Sequence, residues 1–394
     1  MNCSQTLPQS VFNTQSASLI KYLESGNASQ QLYPHQIDAV LKLREYFAQP
    51  SPSNVAVVAV PTGCGGTSIA VLASYALTAS RVLVLAPSLT SSKQVYASFG
   101  NFLIDRGVVT EKDKQMVLPS RSLVTQLSQM GDAMASSVII TNAHNNDGMS
   151  TVKITDIPSE GFDLIIVHEA QYYTATTWKT IAKHFINSRL LFITSAAKHK
   201  GKVVLGVRPC YELERSIAVN QGILRDVKYD EMRGGKETFS YLSVAVRIEY
   251  YLNNHDTINQ GVDHQGLVLV QAGTNGAIMF SDLYNKYYPG KCAAYTAGDQ
   301  TSVLDDFVSG TVRVLVTTAN LLDDVTTKRV SVLGIVCEIT PSSRILFDRF
   351  VSKAVCRYSP DDQVDAQVVT HEYFHQLRNF ENFEKIVETN PTIE

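Results

Sequence analysis

Short runs of apolar, mostly β-branched residues recur along the chain, and each is followed by a polar or glycine-containing turn and a helical pattern. In the first half of the sequence such runs lie at 55–60, 81–87, 137–141, 162–170 and 189–194. Because they are apolar at nearly every position, they are typical of parallel strands that are covered on both faces. The first half is therefore predicted to be an α/β unit around a mostly parallel sheet.

The same pattern starts again in the second half. Further runs lie at 266–272, 291–296, 312–318, 330–339 and 365–371. Between the two sets lies a polar segment that contains Gly234 and Gly235 and leads into an amphipathic helical pattern. We therefore predict two α/β domains in tandem, 31–235 and 236–394, each a mostly parallel sheet covered by helices. Residues 1–30, rich in Ser, Gln and Asn, are predicted to be a flexible N-terminal extension.

Composition and charge agree with this organisation. The chain has 394 residues, of which 44% are hydrophobic and 18% charged, and such a length usually needs more than one core. Its formal net charge of −3 gives no bulk attraction for nucleic acid. No stretch reaches the roughly 18 apolar residues of a membrane span, and the first residues lack a signal-peptide pattern. An intracellular protein, cytoplasmic or nuclear, with no membrane partner is expected. The six scattered cysteines form no CxxC pair, so no metal site is predicted.

The run at 55–60 leads into the sequence PTGCGGT, residues 61–67, and then into a helical pattern. In a phosphate-binding loop, N–H groups at a helix N-terminus hold the phosphates, a lysine neutralises their charge and a threonine hydroxyl holds Mg²⁺. The residues that match this frame are Pro61, Thr62, Gly63, Gly65 and Thr67. Gly66 stands where the lysine is expected. Taken alone, the turn is also typical of a tight connection between a strand and a helix.

Further segments resemble, in order, the motifs of a superfamily 2 helicase core, above all those of the restriction-enzyme res subunit branch. These segments are 32–40, 82–94, 138–145, 163–173, 190–200, 211–229, 293–336 and 348–360. The resemblance covers residues 30–372 and implies two RecA-like P-loop domains in tandem. It also implies an ATP site formed by Gln36, which would read adenine, with Thr62, Gly63, Cys64, Gly65, Gly66 and Thr67. It implies nucleic-acid contacts from Ser88, Lys93, Thr141 and Thr318.

Several positions depart from the family pattern where its chemistry takes place. His168 replaces the aspartate that holds Mg²⁺ in that family, and imidazole is a poor ligand for this oxygen-seeking ion. Glu169, which corresponds to the base that activates water, is retained. Asp323 and Asp324 stand where the family has a glycine and a polar contact. The family's motif VI aligns with Arg349, Ser352, Lys353 and Cys356, so both arginine-finger positions are changed. Arg357 lies one residue out of register, which on a helix turns the side chain by about 100°.

These departures predict a pseudo-helicase, a catalytically inactive helicase-like protein that acts as a nucleic-acid-binding or protein-interaction scaffold. Loss of an arginine finger alone costs about 10³ to 10⁵ in the rate of phosphoryl transfer. Two alternatives stay open: an ATP-dependent helicase or nucleic-acid-stimulated ATPase that uses substitute residues, and a regulatory subunit that receives the missing lysine and arginine from a partner chain. Weak binding of ATP and Mg²⁺ is expected, together with a weakly bound nucleic acid or a protein partner.

Overall fold

The computed structural model describes residues 11–25, 32–50, 53–143, 152–195, 198–199, 202–203, 206–272, 275–298, 302–340, 344–359 and 361–385. Contacts divide the chain into two compact units, Met1–Leu213 and Glu214–Glu394. Each unit contains a sheet of parallel strands with helices packed on it, which confirms the predicted tandem α/β architecture. None of the helices in the described part of the chain has the length and hydrophobicity of a membrane span.

The sheet of the first unit has seven strands within the described residues. They are β1 (Val55–Ala59), β2 (Val82–Leu85), β3 (Arg121–Val124), β4 (Val138–Thr141), β5 (Leu164–Val167), β6 (Arg189–Thr194) and β9 (Tyr211–Glu212). Their hydrogen-bonded order is β3-β4-β2-β5-β6-β1-β9, with every neighbouring pair parallel. A separate antiparallel pair is formed by β7 (Lys198–His199) and β8 (Lys202–Val203). The predicted strands of this half are all present, and β1, β2, β4 and β5 are buried throughout.

The helices of the first unit connect these strands. They are α1 (Val11–Glu24), α2 (Pro34–Phe47), α3 (Gly66–Ala76), α4 (Leu89–Asp105), α5 (Lys114–Val117), α6 (Met130–Ala133) and α7 (Ala175–His184), with 3-10 segments at Leu127–Gln129, Ile154–Asp156 and Ala170–Tyr172. The tryptophan of the chain, Trp178, is buried on α7, and its indole N–H donates to the carbonyl of Ala170 at 2.9 Å. This ring is therefore part of the packing beneath the loop that follows β5.

Helix α1 corrects the prediction of a flexible N-terminal extension. Phe12 is fully buried, and its ring meets that of Tyr75 on α3 edge-on, with centroids 4.7 Å apart. Leu19 and Leu23 are buried as well. The apolar residues of this segment recur at helical spacing among serines and glutamines, so that a polar composition conceals one apolar face. Residues 1–10 and 26–31 lie outside the described residues.

The second unit repeats the arrangement. Its strands are β10 (Val227–Met232), β11 (Gln265–Val270), β12 (Cys292–Tyr295), β13 (Val314–Thr318), β14 (Val330–Val336) and β15 (Ala366–His371), in the parallel order β10-β15-β14-β11-β13-β12. Its helices are α8 (Arg215–Asn220), α9 (Tyr241–Ile258), α10 (Gly276–Tyr287), α11 (Ser302–Ser309), α12 (Arg344–Ser352) and α13 (Leu377–Lys385), with 3-10 segments at Lys236–Thr238, Ala319–Asp324 and Glu372–Phe374. Strand β10 precedes residue 235, the predicted domain boundary, and pairs with β15 from Val227 to Met232. The second unit therefore begins before that position.

Arg225 and Asp362 form a fully buried ion pair in the second unit. Nη2 of Arg225 lies 2.5 Å from Oδ2 of Asp362, and both side chains are 0% exposed. Nη1 of Arg225 donates to the carbonyls of Val330 and Ala354 at 2.5 and 2.8 Å. Asn259 donates through Nδ2 to Oδ1 of Asp362 at 2.8 Å. The ion pair thus connects the segment before β10 with the segment before β15. Each of the two buried charges depends on the other, because an unpaired charge in the interior is strongly destabilising.

Two buried histidines lie beside this pair, with ring centroids 5.6 Å apart. Nδ1 of His255 is 2.8 Å from the hydroxyl of Ser331, and Nδ1 of His264 is 3.2 Å from Oδ1 of Asp256. Burial, with the positive fields of His264 and Arg225, lowers the pKa of His255 to about 4. Burial opposes the charge of His264 as well, but the hydrogen bond to Asp256 raises its pKa. His255 is therefore neutral at pH 7.

We expect His255 to destabilise the second unit as the pH falls from 6.5 toward 4, because the unfolded chain takes up a proton there and the folded chain does not. At pH 4 the expected loss is about 3 kcal/mol in the free energy of unfolding. His264 acts in the opposite direction: its stabilising contribution is present below the unfolded pKa and is lost as the pH rises through the folded pKa. Asp256, Asp362 and Arg225 also face the two histidines, and the carboxylates contribute to the pH dependence as well. The contribution of His255 is therefore measured as the difference between wild type and a variant.

The variant is His255→Gln, which keeps a polar group near Ser331 and removes the titration. Urea denaturation followed by far-UV circular dichroism at pH 7 and at about pH 4.5 should show that wild type loses about 2 kcal/mol more than the variant. Fluorescence of Trp178 reports the first unit as an internal control. Equal losses in the two proteins would show that His255 does not carry the acid sensitivity.

Candidate functional site

The loop between β1 and α3 has the backbone form of a phosphate-binding turn. Gly63 and Gly65 have φ values of 96° and 82°, in the left-handed region that favours glycine. The N–H of Cys64 donates to the carbonyl of Pro61 at 3.0 Å, which closes the turn. Cys64 is 1% exposed, so its thiol is buried beneath the loop. Thr62 is partly exposed beside it.

The N-terminus of α3 retains free hydrogen-bond donors. Gly65 is the N-cap residue, and no side chain caps the helix. Among the described residues, no acceptor bonds the N–H groups of Gly66, Thr67 and Ser68. Uncapped N–H groups at a helix N-terminus, together with the helix dipole, favour a bound anion. The predicted loop residues therefore lie together at a helix N-terminus with uncapped N–H groups, while phosphate binding by them stays a prediction.

Two side chains of α2 contact this loop. Nε2 of His35 lies 2.7 Å from the carbonyl oxygen of Cys64, and Nε2 of Gln36 donates to the same oxygen at 3.4 Å. Both residues are buried, and within the described residues Oε1 of Gln36 has no hydrogen-bond partner. A Cβ at Gly65 would lie 2.1 Å from Nε2 of Gln36, so glycine is required there by close approach as well as by φ. Gln36 thus lies beside the loop, while its role toward adenine stays a prediction.

His168 and Thr67 are hydrogen-bonded to each other next to the loop. Oγ1 of Thr67 lies 3.0 Å from Nε2 of His168. His168 follows β5, is 6% exposed, and its backbone N–H donates to the carbonyl of Leu85 at 2.9 Å. Burial lowers the pKa of His168, against a smaller opposing effect of the Glu169 carboxylate. The ring is therefore neutral at pH 7, and it is hydrogen-bonded to the threonine hydroxyl that the resemblance assigns to Mg²⁺.

Glu169 has a different partner. Ser91, in the first turn of α4, donates through Oγ to Oε2 of Glu169 at 2.9 Å. Nδ1 of His168 lies 3.8 Å from the same oxygen. The Glu169 backbone is left-handed, with φ 52° and ψ 50°, which is uncommon for a residue other than glycine. The retained carboxylate is thus held by a serine hydroxyl at the surface of the unit.

The space at Gly66 decides whether a side chain could be placed there. Gly66 does not have a positive φ, unlike Gly63 and Gly65. A Cβ at Gly66 would lie 3.2 Å from Cγ2 of Ile193 and 4.0 Å from Nε2 of His168. The first distance is close but involves a movable methyl group. A side chain at this position therefore needs a shift of a few tenths of an ångström and no change of the loop backbone.

The residues predicted to contact nucleic acid are placed unequally. Ser88 is the N-cap of α4, where its Oγ accepts from the N–H of Ser91 at 3.1 Å, and Lys93 is exposed on the same helix. Thr141, at the end of β4, is 0% exposed, so its hydroxyl is inaccessible to a strand, which corrects the prediction for this residue. Thr318 is partly exposed at the end of β13, in the second unit.

In the second unit, cationic side chains near the motif VI segment bond to groups of the same unit. Nη2 of Arg349 lies 2.5 Å from Oδ1 of Asp323, and Nζ of Lys353 donates to the carbonyl of Val325 at 3.0 Å. Arg357 donates through Nε and Nη1 to backbone carbonyls. Asp323 thus has a positive partner within its own unit. Arg357, the out-of-register arginine, holds backbone rather than extending into solvent.

Magnesium does not fit the residues that are present. Mg²⁺ is bound in near-octahedral geometry by oxygen ligands, and a neutral imidazole offers nitrogen. The Thr67 hydroxyl is bonded to that imidazole, and Glu169 accepts from Ser91. Within the described residues, no three His, Cys, Asp or Glu side chains are placed so that they could hold a metal ion. The loop thus keeps its two left-handed glycines, whereas a ring nitrogen stands where the resemblance implies a carboxylate ligand.

Residues 29–199 match the family described as "Type III restriction enzyme, res subunit". This segment contains α2, the phosphate loop, His168 and Glu169. The chain resembles a superfamily 2 helicase core. No curated protein sequence matches the chain.

The fold of this chain is similar to that of several solved structures of helicases. A fragment of a putative HsdR subunit of a type I restriction enzyme from Vibrio vulnificus YJ016 aligns with a TM-score of 0.57 at 14% identity, over 88% of this chain and 65% of that one. S. cerevisiae Dbp5, bound to RNA and ADP BeF3, aligns with a TM-score of 0.53 at 13% identity, over 91% and 93%. The helicase MrfA, bound to DNA and AMPPNP, aligns with a TM-score of 0.60 at 16% identity, over 93% and 52%. This helicase-like chain thus spans about two thirds of the HsdR fragment and half of MrfA.

Proposed function

We propose that this chain is a catalytically inactive helicase-like protein, which serves as a scaffold that binds nucleic acid weakly or binds a protein partner. The observation that carries the proposal is the 3.0 Å hydrogen bond between Thr67 Oγ1 and His168 Nε2. In an active site for phosphoryl transfer, the metal neutralises the charge that develops on the transferred group. Here the two residues that correspond to the metal-binding threonine and aspartate of the family are bonded to each other, and one of them is a buried neutral ring.

The missing cations support the same proposal. Gly66 supplies no positive charge beside the loop, Arg349 is paired with Asp323, and Arg357 bonds backbone carbonyls. Removal of an arginine finger alone costs about 10³ to 10⁵ in rate, or roughly 4 to 7 kcal/mol of barrier. Groups that act on the same developing charge are not additive, but a single such loss nearly abolishes turnover. Several losses together leave no route to a useful rate.

Nucleic-acid binding is the activity that survives these changes best. Dbp5 and MrfA, which share the fold, were solved with RNA and DNA respectively. Contacts to a nucleic-acid backbone need N–H groups, hydroxyls and lysines, and they do not depend on ATP chemistry. Ser88 is the N-cap of α4, and Lys93 is exposed in the second turn of the same helix. A hydroxyl and a lysine at these positions would supply such contacts. The sequence carries few cations in these segments, so we expect weak binding.

We expect single-stranded DNA and RNA to bind with dissociation constants that are micromolar or weaker at physiological salt, without sequence preference. Few phosphates would be neutralised, so counterion release contributes little. The experiment is a fluorescence anisotropy titration of labelled oligonucleotides with the full chain at several salt concentrations, with and without ATP and Mg²⁺. We expect the affinity to be unchanged by ATP within about twofold.

Lys93→Gln should weaken binding and lower the salt slope, whereas Lys42→Gln on α2 serves as the control at an exposed, salt-bridged lysine. Nanomolar affinity at physiological salt, or a slope that implies six or more phosphate contacts, would contradict the proposed weak binding. An affinity that ATP changes tenfold would contradict the absence of coupling.

One observation favours a second function. Glu169 is retained beside a loop whose helix N-terminus has free donors, as in an ATPase that waits for further residues from a partner chain. The two functions differ in a phosphate-release assay repeated with candidate partner proteins. The scaffold function predicts background release with every partner, and stimulated release with one of them favours the regulated subunit.

A further inference from the structure

In this chain the phosphate loop keeps the features that would hold phosphate, whereas the residue that would hold the metal has changed. The cradle is intact, since the turn has its two left-handed glycines and α3 has uncapped N–H groups at Gly66, Thr67 and Ser68. The metal position has changed, because a ring nitrogen of His168 lies 3.0 Å from the Thr67 hydroxyl where the resemblance implies a carboxylate. In related sites a threonine hydroxyl helps to hold Mg²⁺. Of these two groups, only the hydroxyl is kept here.

A second observation, independent of the helix N-terminus, also points to a ligand. Gln36 is 2% exposed, and within the described residues its Oε1 has no hydrogen-bond partner. Its amide lies against the loop, where Nε2 would be 2.1 Å from a Cβ at Gly65. A buried, unpaired amide oxygen costs about 1 to 3 kcal/mol unless a donor reaches it. A bound ligand with an N–H or O–H group could supply that donor.

We propose that the loop binds nucleoside phosphates without a divalent metal. The phosphates are held by the free N–H groups and the helix dipole. A divalent metal adds little, because His168 offers a ring nitrogen where the resemblance implies a carboxylate oxygen. The inference rests on the proposed function, in which hydrolysis is lost while the cradle is kept. It also predicts the order of ligands: with no lysine and no metal to neutralise a third phosphate, ATP binds no more than about threefold more tightly than ADP.

The test is isothermal titration calorimetry of the full chain with ADP, once in excess Mg²⁺ and once in excess chelator. The expected dissociation constants agree within about twofold. His168→Asp restores a carboxylate oxygen as a ligand, so this variant should bind at least about tenfold more tightly in Mg²⁺ than in chelator. Thr67→Ser keeps the hydroxyl and its bond to His168, and it should remain indifferent to Mg²⁺.

Circular dichroism and thermal unfolding establish that each variant is folded, and inorganic pyrophosphate in place of ADP separates binding of phosphate alone from binding of the nucleoside. Wild-type binding that is tenfold tighter in Mg²⁺ overturns the inference. Absence of ADP binding in both conditions at millimolar ligand overturns it too, but leaves the lack of hydrolysis untouched. ATP hydrolysis by wild type would instead contradict the proposed function itself.

Discussion

Gly66→Lys is expected to raise the affinity for ADP at least about tenfold and to leave hydrolysis at background. The substitution adds a cation beside uncapped N–H groups, and two unit charges about 4 Å apart attract by roughly 4 kcal/mol near a protein surface. Part of that is lost in ordering the lysine, so about 1.4 kcal/mol, or tenfold, is a conservative expectation. The backbone accepts a side chain here, since Gly66 has no positive φ and its Cβ would meet the Ile193 methyl group at 3.2 Å.

The matched control is Gly66→Met, which has a similar length and no charge. Calorimetry should show the gain for lysine and none for methionine, and a phosphate-release assay should show no activity for either. Equal gains would mean that packing rather than charge is responsible. Robust hydrolysis by the lysine variant would show that His168 and the second unit's altered motif VI are not barriers to chemistry.

Arg225→Met is expected to destabilise the second unit by about 3 to 5 kcal/mol. Its guanidinium is fully buried against Asp362 and two backbone carbonyls. Removing one partner of a buried ion pair leaves the other as an uncompensated charge, which accounts for most of this cost. Urea denaturation followed by circular dichroism measures the loss, while Trp178 fluorescence reports the first unit separately.

Lys228→Met is the control for this prediction. Lys228 lies 2.6 Å from Asp226, but the two side chains are 55% and 45% exposed, and such surface pairs contribute about 0 to 1 kcal/mol. A loss below 1 kcal/mol for Arg225→Met would mean that the buried pair does not hold β10 and β15 in place. If Arg225→Met does not fold, Asp362→Asn, which neutralises the carboxylate but keeps a polar group, measures the same dependence in a milder form.

The fold could be predicted because a strand that is buried on both faces needs apolar residues at nearly every position. The strands β1, β2 and β5 are buried at every position and appear in the sequence as uninterrupted apolar runs. The edge strand β10 has polar residues, so the same criterion missed it and the predicted boundary fell too late in the chain. Helix α1 was missed because one apolar face is hidden among polar residues.

The loop frame could be predicted as well, because its glycines are required by backbone geometry that leaves a mark in the sequence. Partners across the fold leave none. His35 bonds the Cys64 carbonyl and Ser91 bonds Glu169, and in each case the two residues are far apart in sequence. The bond between Thr67 and His168 likewise joins residues 101 positions apart. The hydrogen-bond partners of Glu169 and Thr67 could therefore be identified only from the folded structure.

The most direct test of the account is single-turnover phosphate release, with the full chain in excess over radiolabelled ATP, in Mg²⁺, with and without single-stranded DNA or RNA. Excess protein makes even a weakly binding, slow enzyme visible over long incubation. The account predicts release indistinguishable from that of a protein-free control in every condition. Release faster than about 0.1 per second, well within the range of ordinary enzymes, would contradict it.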